Sequence, residues 1–150
     1  MYAVKKAREY FFPNINIEDY REALDFLSEE KRKIFLSMSL YDKKHSLEVY
    51  KKVKENKIIG KNKKYLELAL LHDCGKENAN VIRRVIHKIG LRTLLRLHPE
   101  NGAKKLGIID PELAILIKNH HISSYSTEMT EFQKIDDLCW WNSWIFVVKG

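Results

Sequence analysis

The stretch Leu68-Ala69-Leu70-Leu71-His72-Asp73-Cys74-Gly75-Lys76 constrains this chain more than any other. Its apolar run is long enough for the buried end of a helix, and it stops at an imidazole and a carboxylate. Burying an ionised Asp at the tip of such a run is costly unless a positive charge meets it. Two compensating charges are available, the Lys76 ammonium and a metal ion held by several side chains together. The chain has six histidines, and where the others fall bears on the choice.

The rest of the chain reads as helix, and no alternating strand pattern of any length precedes the tail. Asn14 follows Pro13 at a turn, and Ile17, Tyr20, Leu24 and Leu27 then recur at helical spacing. Ser28 is placed to cap a helix carrying Ile34, Phe35 and Met38. A third helix, starting near Tyr41–Lys44, puts His45, Val49 and Val53 on one face. The lysine-rich segment 54–64 reads as a surface connection, and 65–72 as the helix that delivers the His-Asp pair. Val81, Ile82, Val85, Ile86 and Ile89 mark another helix, with Gly90 where a C-terminal cap belongs. Pro99 and Pro111 each sit at a first helical position. The helix after Pro111 runs through Leu113, Leu116 and Ile117 to His120-His121. Ser126 or Thr127 caps a last helix with Met129, Phe132, Ile135 and Leu138. The expectation is an all-α fold, one compact bundle of roughly seven to nine helices over residues 1–150, with a motif-bearing core at about 34–139.

The tail 140–150 is rich in tryptophan and aliphatic residues, and reads as packed on the body or as a homodimer interface. No run of about 18 apolar residues is present, so no membrane span is expected. Residues 1–12 lack the apolar core and cleavage site of a signal peptide, and two cysteines do not make a disulfide framework. The cytoplasm is the expected location. The net charge of +7 comes from dispersed lysines, which read first as a solvated surface. They also suit an anionic, phosphate-bearing substrate. No nucleic-acid module is recognisable by motif.

Polar residues on apolar faces mark the chemistry. His120 and His121 lie three and four residues after Ile117 and project toward the stripe of Leu113 and Ile117. Asp136 lies four after Phe132 on the inward stripe and Asp137 is rotated away, so Asp136 is the better ligand candidate and Asp137 the alternative. His45 shares its face with Val49 and Val53. His87, mid-helix among basic residues, reads as structural. A lone histidine on an apolar face is more often a hydrogen-bonded core residue than a ligand. Several at helix ends, beside two carboxylates, form a set suited to Zn, Fe, Mn or Ni more than to Ca.

His45, then His72-Asp73, then Asp136 resembles the HD superfamily of metal-dependent phosphohydrolases. His72-Asp73-Cys74-Gly75-Lys76 is similar to that family's HDxGK motif, with Cys where Ile or Val is usual. His98-Pro99-Glu100-Asn101-Gly102-Ala103 resembles the HPExGA segment of the subset with extra histidines. The His120-His121 pair and Phe132-Gln133-Lys134-Ile135-Asp136-Asp137 complete that subset's order. Ile135 stands where the family usually has Ala. Ile122-Ser123-Ser124-Tyr125 stands where the cyclic-dinucleotide-cleaving members have a Gly-Tyr-Pro signature.

The resemblance implies one or two divalent ions, of Fe, Mn, Zn, Ni or Mg. It implies a first site of His45, His72, Asp73 and Asp136, and a second of His98, His120 and His121 with Asp73 as the bridge. Two such ions activate water and clamp the oxygens of a phosphoryl transfer. Asp73 and Lys76 are then the catalytic candidates, Lys76 turned outward to a phosphate oxygen rather than onto Asp73. Gly75 is expected to ease a sharp turn and leave room for a ligand. The expected activity is phosphoester hydrolysis on a small phosphorylated molecule, a nucleotide first. The alternative is a catalytically weak metal- or nucleotide-binding regulatory module.

Overall fold

Short polar side chains start five of the helices by accepting N–H groups that a first turn leaves unpaired. The computed structural model describes residues 14–76, 97–122 and 124–148, which form seven helices and no strand. They are α1 (Ile17–Phe26), α2 (Glu29–Ser37), α3 (Leu40–Glu55), α4 (Lys63–Leu71), α5 (His98–Leu106), α6 (Pro111–Asn119) and α7 (Thr127–Val148). Asn16, Ser39, Asn62 and Asp110 cap α1, α3, α4 and α6. Ser126 Oγ accepts the Met129 N–H at 3.0 Å ahead of α7. Ser28 precedes α2 as expected but makes no side-chain cap bond. Arg32 fixes that helix instead, its guanidinium donating to the Leu24 and Leu27 carbonyls of the preceding turn at 2.7 and 3.3 Å.

The all-α bundle expected from periodicity is present, and α4 is its axis. Leu68, Ala69, Leu70 and Leu71 are fully buried, so α4 is apolar all round near its end rather than on one stripe. It packs against α3, α6 and α2, while α5 packs on α6 and α7 on α3. Each buried leucine contributes about 2 kcal/mol of transfer free energy. Among the described residues, no helix is long and apolar enough to cross a membrane.

Two boundaries differ from the sequence expectation. The connection before α4 is not merely a surface loop, because Ile59 is wholly buried. The Asn56 side chain turns the backbone there by accepting the Ile58 and Ile59 N–H groups at 2.8 and 3.1 Å. The last helix does not stop before the tail but runs on through Val148. The tail side chains, the helix read around Val81–Ile89, its Gly90 cap and His87 lie outside the described residues.

A buried ionic clamp fastens the elements at the N-terminal ends of α4 and α6. Lys31 Nζ of α2 lies 2.8 Å from Glu67 Oε1 of α4 and 2.6 Å from Asp110 Oδ2. Lys64 Nζ, in the first turn of α4, also lies 2.6 Å from Asp110 Oδ2. Asp110 in turn caps α6 by accepting the Leu113 N–H at 3.0 Å. Burial would raise the Asp110 pKa, but the bonds from Lys31, Lys64 and the Leu113 N–H outweigh it and hold the carboxyl well below the usual range.

Removing one partner of a buried ion pair strands the other charge. Asp110→Ala is therefore expected to destabilise the fold by about 3 kcal/mol at pH 7, read by urea unfolding. Because the folded-state pKa is depressed, the wild-type advantage is complete above the ordinary carboxylate pKa of about 4 and shrinks as the pH falls below it. A variant as stable as wild type at pH 7 would refute the clamp.

Candidate metal centre

α4 ends at Leu71, and His72 occupies its C-cap with helical backbone angles. The His72 Nδ1 atom lies 3.1 Å from the Ala69 carbonyl, which only accepts, so Nδ1 carries the hydrogen and Nε2 is turned away from the helix. That Nε2 is buried and has no hydrogen-bond partner. It lies 3.4 Å from Asp136 Oδ1 and 3.6 Å from Asp73 Oδ2. His120 repeats the device at the C-cap of α6, with Nδ1 on the Ile117 carbonyl at 2.5 Å.

Two groups of ligand atoms result, the atoms within each lying within 4.8 Å of one another. His45 from α3, His72 from α4 and Asp136 from α7 make the first, with His45 Nε2 on Asp136 Oδ1 at 2.9 Å. His98, His120 and His121 make the second, with His98 Nε2 lying 3.3 Å from His120 Nε2 and 3.2 Å from His121 Nε2. The two groups adjoin, since the His72 and His120 rings are 5.5 Å apart. Asp73 lies between them. Its Oδ2 faces His72 and its Oδ1 is 3.4 Å from His98 Nε2.

The electrostatics follow from this crowding. Burial raises the pKa values of Asp73 and Asp136, but the surrounding cations reverse the shift and hold both carboxyls well below the usual range. For Asp73 these are Lys76, His72 and His98, and for Asp136 they are His72 and His45. Burial lowers His72, but the Asp73 and Asp136 carboxylates more than offset it and bring it to about 9. Burial and the other imidazoles push His120 well below its usual value. Burial also lowers His121, although Asp136 and Asp73 oppose the shift. His120 and His121 of the second group are therefore shifted toward the neutral imidazole, the form that binds metals.

This donor set fits divalent ions. Each group offers three ligand atoms of imidazole or carboxylate type, and Asp73 presents one oxygen to each. One hydrogen on His98 Nε2 cannot serve two neighbouring ring nitrogens at once, whereas a shared cation can serve all three lone pairs. The His72 Nε2, buried without a partner, otherwise costs free energy.

All seven residues predicted as ligands meet at this one place. Asp137, the alternative to Asp136, is exposed beside it, its pKa raised by partial burial and by Asp136. Lys76 differs from the outward placement. Its Nζ lies on Asp73 Oδ2 at 2.6 Å and its side chain is largely buried. Gly75 also has a different reason from the one expected. It has no left-handed backbone, and a Cβ there would fall 1.9 Å from the His98 carbonyl oxygen and 2.6 Å from the Gly102 nitrogen. The motif turn lies directly on the backbone of α5, which Lys105 secures by donating to the Cys74 carbonyl at 2.7 Å. This close approach sets His98 opposite Asp73.

Sequence reasoning missed two contributors. Phe132 was read as core, but its ring also lies 5.6 Å from that of His72. Gln133 holds the turn after α6 through two carbonyls, and its place one turn before Asp136 was the available signal. Comparison with protein-family models, curated proteins and solved structures finds no match to this chain.

Gly75→Ala forces α5 away from the motif turn. The expected cost is about 3 kcal/mol in thermal or urea unfolding, because both obstructing groups are backbone. An alanine variant with wild-type stability would rule out the packing just described.

Proposed function

We propose that this protein is a metal-dependent phosphohydrolase of the HD type, acting on a phosphoester of a small phosphorylated molecule, a nucleotide first. The observation that carries the reading is Asp73, a buried carboxylate with one oxygen toward each of two adjoining ligand groups. His45, His72, Asp136 and Asp73 would hold one divalent ion, and His98, His120, His121 and Asp73 a second. Such ions supply an activated water and neutralise the charge that develops on phosphoryl oxygens.

The chain's own groups support the same chemistry. His121 is the exposed member of its trio, so a substrate reaches the centre from that side. Lys76, with its Nζ 2.6 Å from Asp73 Oδ2, helps keep that carboxylate ionised, the form a metal ligand needs. The surplus of basic residues, +7 overall, favours the approach of an anion. The resemblance of the five motifs, in order, to the HD superfamily points to the same reaction class.

The protein loaded with Mn, Fe or Ni is expected to hydrolyse bis-p-nitrophenyl phosphate, and Asp73→Ala to lower turnover by more than about 100-fold with loss of bound metal. Absence of any ion in metal-reconstituted protein would sink the metal centre. Bound ions with no cleavage across a nucleotide panel would leave a binding or regulatory module in place of an enzyme. Folding linkage offers an independent check. Free ion at 100 times its dissociation constant is expected to stabilise wild type by about 2.7 kcal/mol and to do so less in His72→Ala. Equal stabilisation of both proteins would contradict the placement of the ion at His72.

A further inference from the structure

The carbonyl groups that end a helix find no partner within it. At the end of α6 two carbonyls are taken by a side chain from another helix. Gln133 Nε2 donates to the His120 carbonyl at 3.0 Å and to the Ile122 carbonyl at 2.9 Å. Both hydrogens of the amide are engaged, and His121 lies between the two carbonyls they hold. The His120 ring is already oriented by the Ile117 carbonyl. The His121 ring stacks on His120 with centroids 3.9 Å apart and meets His98, so its position follows from the backbone.

Gln133 stands three residues before Asp136, one turn away on the same face of α7. The helix that contributes a carboxylate to the first ligand group thereby holds the backbone of the second. We propose that Gln133 is a positioning residue for the His98–His120–His121 group, acting through the 120–122 backbone rather than by touching an ion. The inference rests on the metal-centre reading above. It adds that α7, which supplies Asp136 to the first group directly, also sets the affinity of the second ion, through Gln133.

The test uses the full chain, stripped of metal and titrated with Ni²⁺ alone by calorimetry, as wild type, Gln133→Met and Gln133→Glu. Methionine keeps the length of glutamine without its donors, and glutamate offers two acceptors where donors are needed. Wild type is expected to take two ions. Both variants are expected to keep one ion within about threefold of the wild-type affinity and to lose 10- to 100-fold, roughly, on the other. Their metal-free melting temperatures and helicity should stay near wild type. Two unchanged affinities would overturn the role of Gln133 and leave the metal centre standing. Equal weakening at both sites, or loss of helicity without metal, would assign the residue to folding and overturn the proposal. A wild type that takes no ion would remove the metal centre and this inference with it.

Discussion

The structure turns on the Asp73 carboxylate, which is 2% exposed and faces imidazoles on both sides. A charge so placed needs compensation from several directions at once, and the surrounding elements supply it. Lys76 closes one oxygen, His72 approaches the same oxygen from α4, and His98 approaches the other from α5. Removing the apolar packing beneath the turn would return water to this carboxylate and weaken each of those attractions.

Helix ends do most of the positioning. His72 and His120 are C-cap residues, and His98 opens its helix. An end residue turns its ring beyond the cylinder of its own helix, so three helices can converge on a small volume without their backbones colliding. At the centre itself the motif turn meets the backbone of α5, and only glycine at position 75 permits it. His45 and Asp136 come instead from within longer helices, α3 and α7, which pack against each other and so bring the His45 imidazole onto the Asp136 carboxylate.

Much of this was legible in the sequence because the candidate ligand residues carry two signals at once, a polar type and an apolar-face position. Asp136 was separable from Asp137 by rotation about the helix alone, and the structure buries the former and exposes the latter. Pro99 and Asp110-Pro111 announced their helix starts through local backbone chemistry. The buried clamp was not legible. Lys31 lies in a segment of alternating charges that looks like solvent-facing helix, and its partners are 36 and 79 residues away in sequence, distances no local pattern spans. Glu67 was the only hint, a carboxylate inside an otherwise apolar helix end. Lys76 was misplaced because spacing cannot say whether a lysine turns back onto the Asp three residues earlier. Gly75 was assigned the wrong reason because close approach to a distant backbone leaves no mark in the sequence.

The clamp at one end and the histidines at the other show that α4 and α6 run side by side in the same direction. Lys64 and Asp110 join their beginnings, and His72 meets His120 at their ends. Each is nine residues long. Aligned peptide dipoles leave roughly half a negative charge at each helix's last turn. Two such ends converge on the histidine cluster. The backbone itself therefore adds a cation-seeking field that no side-chain count records, and it repels a bare phosphate. A divalent ion held there would be favoured by both helix ends.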